Sequence, residues 1–258
     1  MQYRIFSCFF VLFTFLSCSK EEYFTLEGMD SAHYIIAHRG SWRQNHLPQN
    51  SRAAFKEALA LDIFGVEFDV RQTKDGVLII NHDPYIEDAK ISESSNDDIS
   101  SYSLNNGEKI PTLDDFFSIY ISTDRTVKLI IELKECNVED VVSMVDKYNA
   151  RNDSYFTVFN KEYCDKLVEL GLGNRILFVG GESWPELEPN IISELGYAGF
   201  AYKNSDMQTH KEWVGMAKTL GLIAIAWTED DLFNVKQFVD DGVVVMTNKP
   251  YQCAKKKK

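Results

Sequence analysis

Residues 65–83 read GVEFDVRQTKDGVLIINHD, and the placement of this stretch decides the fold. Side chains alternate between the two faces of a strand, so Glu67 and Asp69 share one face while Val66, Phe68 and Val70 share the other. In a half-exposed strand the two acids would simply face water. A second strand-like run, LIINHD at 78–83, follows after a turn at KDG. Parallel neighbours need a crossover of a dozen or more residues, and no helix fits in so short a gap. This unit is therefore expected to be irregular.

Outward from that stretch, short β-branched runs alternate with helical patterns from residue 34 onward. The strand-like segments are YIIAH, VEFDV, LIINHD, KLIIELK, YFTVF, RILFVG, GFAYK, LIAIAWT and VVVMTN. Asn50 or Ser51 is placed to cap SRAAFKEALALD, whose Ala54, Phe55, Ala58 and Leu59 fall on one face. TLDDFFSIY opens with the Thr112-to-Asp115 spacing of a capping box. Three further helical patterns stop at Gly171, Gly221 and Gly242. Strand and helix repeated this often predict a parallel sheet, and the length suits a (β/α)8 TIM barrel. The strand count is one too many for eight, which again points to the irregular second-to-third strand unit. Between Asp83 and Thr112 lies a polar stretch, read as a short insertion at the barrel mouth, either a loop or a small cap.

With 258 residues and 45% hydrophobic side chains, the chain has material for a sizeable core. It carries 39 acidic and 27 basic side chains, net −12, a balance that argues against a nucleic-acid partner. A phosphate substrate stays compatible, because a bound cation reverses the local field. Residues 1–17 read as a signal peptide: one Arg, an apolar run from Ile5 to Leu16, then small residues. The run is shorter than the ~20 apolar residues of a membrane span. Its FLSC ending is similar to a bacterial lipoprotein box, which makes Cys18 the expected lipidated N-terminus; ordinary cleavage without lipid is the alternative. The polar, acidic residues 18–30 suit a tether. The expected localisation is the bacterial cell envelope, with membrane attachment through lipid at Cys18. Residues 31–252 form the expected barrel domain, and 253–258 an expected disordered basic tail. Cys136, Cys164 and Cys253 show neither a disulfide framework nor a zinc spacing.

Catalytic residues of such barrels sit at the C-terminal ends of several strands. Those ends read His38 and Arg39, Glu67 and Asp69, His82 and Asp83, Glu132 and Lys134, and Trp227. Three carboxylates facing one mouth cannot all stay ionised and unpaired. A hard divalent cation, Ca²⁺ or Mg²⁺, satisfies Glu67, Asp69 and Glu132; pairing with Arg39 and Lys134 alone is the competing account. His38 and His82 suit acid and base roles near neutrality. Trp227 is either a wall of the site or a plain core aromatic.

Read in order, HRG (38–40), PQNS (48–51), VEFDVRQTKDG (66–76), NHD (81–83), IPTL (110–113), IELK (131–134), WT (227–228) and TNKP (247–250) resemble the glycerophosphodiester phosphodiesterase pattern. The resemblance runs across essentially the whole of the chain after residue 30. It implies a TIM-barrel enzyme that hydrolyses glycerophosphodiesters to glycerol 3-phosphate and an alcohol; the polar insertion, with few large apolar residues, suits a small, water-soluble substrate of that class. The resemblance further implies His38 and His82 as the acid/base pair, Glu67, Asp69 and Glu132 as metal ligands, and Arg39 and Lys134 as phosphate-neutralising groups. Gln49 and Asn248 stand where the pattern usually has Glu and Asp, and Thr157-Val158-Phe159 replaces Ser-Ser-Phe. These departures are expected to bear on substrate preference more than on catalysis. Two other readings stay open: a cyclising phosphoinositide phospholipase or phospholipase D-like lyase, and a catalytically silent surface lipoprotein that binds headgroups.

Overall fold

The computed structural model describes residues 31–44, 46–180 and 186–257. All nine strand-like segments form strands of one sheet: β1 (Ile35–Ala37), β2 (Gly65–Gln72), β3 (Leu78–Ile80), β6 (Lys128–Leu133), β7 (Ser154–Val158), β8 (Ile176–Phe178), β9 (Gly199–Lys203), β10 (Ile223–Trp227) and β11 (Val244–Thr247). Eight of them pair in parallel, and β1 pairs with both β2 and β11, which closes the barrel. The ninth, β3, runs antiparallel to the upper end of β2, with Val70 opposite Ile80 and Gln72 opposite Leu78. A tight turn at residues 73–77 permits only that direction, so the supernumerary strand is an outgrowth of β2 and no stave of the barrel.

Helices α1 (Arg52–Leu59), α3 (Leu113–Tyr120), α4 (Val138–Lys147), α5 (Lys161–Glu169), α6 (Pro189–Glu194), α7 (Asn204–Thr209), α8 (Lys211–Leu220), α9 (Leu232–Asp240) and α10 (Pro250–Cys253) return the chain between or after the staves. The buried face of α1 is Ala54, Phe55, Ala58 and Leu59, as its periodicity predicts. Its cap is Ser51, whose hydroxyl accepts from Ala54 N; Asn50 is turned elsewhere. Thr112 and Asp115 form the predicted capping box of α3.

Alternation along the staves builds two apolar layers. Val66, Phe68 and Val70 of β2 pack outward under the helices, with Phe55 and Phe116 stacked at 4.2 Å beside Phe68. Ile36, Ile130, Leu177, Ala201, Ile225 and Val244 fill the lumen. Glu67 and Asp69 therefore point into the barrel, above that apolar plug. This resolves the opposition between acids and hydrophobes in β2.

The insertion is a folded cap. Hairpin β4 (Tyr85–Ile86) and β5 (Ala89–Lys90), a single 3₁₀ turn and α2 (Asn96–Ser100) enclose their own cluster of Ile79, Ile86, Ile91, Ile99 and Ile110. Glu108 fastens the cap to the barrel by accepting from Arg52 N and Ala53 N at the start of α1. The C-terminus departs from expectation. Residues 254–257 do not form a free tail: Asp62 N donates to Lys255 O, Lys257 N to Ala60 O, and Lys257 Nζ to Asp124. Backbone pairing and an acidic neighbour hold a Lys run that composition alone would leave in solvent. The expected signal peptide and tether, 1–17 and 18–30, lie outside the described residues.

Candidate active site

Register brings the acids together. In the ladders β2–β6 and β6–β7, Asp69 lies opposite Glu132 and Glu132 opposite Thr157, while Glu67 sits two residues lower on β2. One oxygen from each of Glu67, Asp69 and Glu132 falls within 4.8 Å of the others. Glu67 and Asp69 are fully buried. Two cations attend them: Lys134 Nζ contacts the Glu132 carboxylate and lies 3.4 Å from Asp69 Oδ1, and Arg39 Nε lies 3.5 Å from Asp69 Oδ2. Three carboxylates against two cations leave one charge over: one oxygen of each acid is buried without a hydrogen-bond partner, and Lys134 Nζ lies within ion-pair distance of those of Asp69 and Glu132 but not of Glu67 Oε1. Burial, then the charges of Asp69 and Glu132, push Glu67 well above the usual carboxylate range. Burial and Asp69 likewise push Glu132 up to about 7, against the pull of Lys134. An all-oxygen donor set, an orphaned buried oxygen and two carboxyls pushed upward fit a hard divalent cation. The ion-pair account, taken alone, leaves Glu67 unexplained.

The loop after β1 shapes the opposite side. Arg39 has φ 56°, a left-handed conformation costing about 1–2 kcal/mol for a residue with a side chain. In exchange, its N–H points at Glu67 Oε2, 2.8 Å away. Gly40 follows at φ 86°, where a methyl group would lie 2.8 Å from the Ala54 carbonyl carbon. Glycine is therefore required there, and α1 can pack directly beneath the loop. Arg39 Nη1 donates to Gln49 Oε1 at 2.8 Å.

His38 and His82 reach the mouth by different routes. His38 follows β1 directly; its Nε2 is 4.0 Å from Glu67 Oε2, and its Nδ1 is 2.8 Å from Asn248 Oδ1. Burial and the charge of Arg39 hold its pKa down at about 4, so the ring is neutral at pH 7. His82 does not end a barrel stave. The antiparallel direction of β3 turns the chain back, and Asn81 N donates to Asp69 O at 3.1 Å. Arg71 then clamps the His82 carbonyl through Nε (3.0 Å) and Nη2 (2.8 Å). The ring, about one-third exposed, sits 2.8 Å from Asp83 Oδ1.

Between the histidines opens a cavity of about 200 Å³, lined by His38, Arg39, His82, Glu132, Lys134 and Trp227 with Thr157, Phe159 and small apolar residues. Trp227 donates from Nε1 to Ala201 O and meets Phe159 edge-on at 6.4 Å. It is a wall residue. The eight residues given a catalytic, metal-binding or substrate-binding role from the sequence thus lie at this mouth. Sequence reasoning passed over Asn50, whose amide donates to Asp69 Oδ2 at 2.7 Å. It also passed over Arg71; Thr157, noted in the sequence only as a departure from Ser-Ser-Phe, has a buried hydroxyl without a hydrogen-bond partner that borders the cavity. An Asn directly before a helix cap was the available signal for Asn50; none marked Arg71.

Fold and site together define a (β/α)8 barrel with an acidic oxygen centre and two imidazoles at its mouth. The chain belongs to the glycerophosphoryl diester phosphodiesterase family, whose model matches residues 38–250. It is 31% identical over 144 residues to a glycerophosphodiester phosphodiesterase of Caldanaerobacter subterraneus subsp. tengcongensis, covering 49% of this chain and 58% of that protein. It is 34% identical over 122 residues to a probable glycerophosphodiester phosphodiesterase of Mycobacterium tuberculosis, covering 45% of each. The matched stretches span about half the length of these curated relatives. Among solved structures, a glycerophosphodiester phosphodiesterase from Parabacteroides distasonis superposes with TM-score 0.79 at 30% identity, covering 86% of this chain and 94% of that one. An Oleispira antarctica phosphodiesterase, solved with the product sn-glycerol-3-phosphate, gives TM-score 0.68 at 23% identity over 84% and 93% of the two chains. At that identity the likeness is one of fold.

Proposed function

We propose that the protein hydrolyses glycerophosphodiesters to glycerol 3-phosphate and an alcohol, with a divalent cation held by Glu67, Asp69 and Glu132. The observation that carries this reading is the packing of three carboxylate oxygens within 4.8 Å, beside a cavity that two histidines also line. Ca²⁺ and Mg²⁺ both suit the oxygen donors; when bound, such an ion supplies positive charge to a phosphoryl oxygen. Arg39 and Lys134, on the cavity wall, offset the charge that grows on phosphorus. One imidazole takes the proton of the attacking group, which is water or the glycerol 2-hydroxyl. The other gives a proton to the departing alcohol oxygen as its bond to phosphorus breaks. When the 2-hydroxyl attacks, a cyclic phosphate forms as the alcohol leaves, and water then opens it to glycerol 3-phosphate. Trp227 and Phe159 flank the short glycerol carbon chain. The cap supports a small, water-soluble substrate, because its isoleucines are spent on its own cluster and only Tyr85 of its large apolar side chains is exposed.

The same reading places the protein in the bacterial cell envelope, with a signal peptide over 1–17 and a lipid on Cys18. Its support is the FLSC ending of the apolar run. Among the described residues no helix is long and apolar enough to cross a membrane. Intact-mass analysis of membrane-extracted protein is expected to give an acylated chain beginning at Cys18; an unmodified N-terminus at another residue would refute the anchor.

The functional test is turnover of glycerophosphoethanolamine by purified protein, with and without chelator, following phosphorus products by NMR. Glycerol 3-phosphate that disappears in chelator is the expected result. A cyclic phosphate that is never opened would favour the lyase reading, binding without turnover would favour the silent lipoprotein, and full activity in excess chelator would sink the metal.

A further inference from the structure

Behind His38, on the side away from the acids, a chain of polar contacts runs through the seam between β1 and β11. His38 Nδ1 is 2.8 Å from Asn248 Oδ1, Asn248 Nδ2 is 3.0 Å from Asp230 Oδ2, and Arg43 Nη1 is 2.6 Å from the same oxygen. Asp230 Oδ1 accepts twice more, from Asn248 N at 2.8 Å and Thr247 Oγ1 at 3.0 Å. Burial works against the charge of Asp230, but the hydrogen bonds from Asn248 and Thr247 and the Arg43 guanidinium outweigh it and lower its pKa. Asp230 is therefore an ionised group that only accepts.

That fact orients everything in front of it. An ionised carboxylate cannot donate, so the NH₂ of Asn248 must face Asp230 and its carbonyl oxygen must face His38. Turned over, the amide would set an acceptor 3.0 Å from a carboxylate oxygen. An acceptor at 2.8 Å in turn requires a proton on His38 Nδ1. In the neutral ring the lone pair then resides on Nε2, the atom that looks toward Glu67 and the cavity. Asn248 itself has no freedom to drift, because its backbone N–H is tied to the same carboxylate and Lys249 Nζ donates to the Asp230 carbonyl.

We propose that Asn248, oriented by Asp230, is a positioning residue that fixes His38 in the Nδ1–H tautomer and keeps the Nε2 lone pair turned to the cavity. Only the kinetic consequence of this assignment rests on the proposed hydrolysis; the tautomer does not. An aspartate at this position would also accept from Nδ1. It would, however, stand a second carboxylate against Asp230, a pair that cannot stay doubly ionised without a proton or an imidazolium between them. An amide accomplishes the same orientation with a neutral ring.

The test is long-range ¹H–¹⁵N NMR of full-length protein labelled at histidine nitrogen, at pH 7, which reads the tautomer with no substrate present. Wild type is expected to show a protonated Nδ1 and a bare Nε2 at His38. Asn248→Leu removes the acceptor and is expected to shift the ring toward Nε2–H. It is also expected to lower kcat about 10²-fold or more with little change in KM. Asn248→Asp restores the acceptor and should recover the Nδ1 proton. A wild-type ring protonated on Nε2, whether as the other tautomer or as imidazolium, would overturn the assignment, as would an unchanged pattern in Asn248→Leu. Should Asn248→Leu fail to fold, the wild-type spectrum alone decides, and Asp230→Asn supplies a second variant expected to mix the tautomers. An enzyme without turnover but with the expected spectrum leaves the positioning intact; an active enzyme with the wrong spectrum removes it.

Discussion

Glu67 is wholly buried, accepts the Arg39 N–H with one oxygen and has no hydrogen-bond partner for the other. A side chain in that state is costly unless a cation or a proton joins it. Glu67→Ala is expected to abolish turnover and to weaken divalent-cation binding in calorimetry, with the barrel still folded. The pH dependence of chelated protein follows from Glu132. Its carboxyl titrates at about 7 in the fold against 4.5 for the ordinary group, so the folded state holds the proton more tightly. Stability is then greatest at low pH within this window and is lost as pH rises from about 4.5 to 7, by on the order of 3 kcal/mol. Thermal melts of chelated protein should fall from pH 5 to pH 8, and divalent cation should restore the loss at pH 8; a melting point independent of pH would contradict the assignment. For the histidines, His38→Ala and His82→Ala are each expected to cost ~10²–10⁴-fold in kcat without unfolding. Near-normal turnover by either would remove that residue from the mechanism. The acids were legible in the sequence because a period of two is a backbone property that needs no knowledge of neighbours. Asn50 and Asp230 were not, since each matters only through a partner fixed by tertiary contact, at 69 and at 248.

At the scale of elements, β2 and β3 form a hairpin standing on the barrel rim, and His82 hangs from its returning arm. Leu78 and Ile80 root that arm in the outer core, and Ile80 N donates to Pro111 O. Beyond Ile80, the end that carries His82 is held by Asn81 N on Asp69 O and by the Arg71 guanidinium on the His82 carbonyl. Arg71→Met is therefore expected to lower kcat about 10-fold or more while leaving the melting temperature near that of wild type. Amide exchange over residues 81–83 should quicken, and unchanged exchange there would show that the clamp is dispensable. Nine strands were legible from β-branched runs, and the impossibility of a parallel crossover after KDG was legible from chain length. The antiparallel direction of β3 is the physical form that impossibility takes. A cap was one of the two readings of the insertion, but its apolar core was hidden because its isoleucines are spaced among Ser, Asn and Asp, with no period to mark them; they meet only after the chain has curled.

Across the whole molecule, helices and staves supply the walls and the plug while polarity is confined to one end. The cap adds a polar rim to that end and keeps its apolar side chains for itself. Glycerophosphoethanolamine is accordingly expected to turn over faster than a micellar diacyl phospholipid under the same cation and pH; faster cleavage of the lipid would overturn the small-substrate reading. The closed barrel was legible in outline, but its closure was not, because β1 meets β11 across some two hundred residues of chain. That seam has a consequence for how the molecule comes into being. Every charged member of the candidate centre lies between His38 and Lys134 and so leaves the ribosome first. Without Val245 and Thr247 paired to Ile35 and Ala37, the barrel is open beside His38. Docking the last stave seals the seam and dries the centre in one event. A cation held by Glu67, Asp69 and Glu132 would add its binding free energy to the closing of that seam.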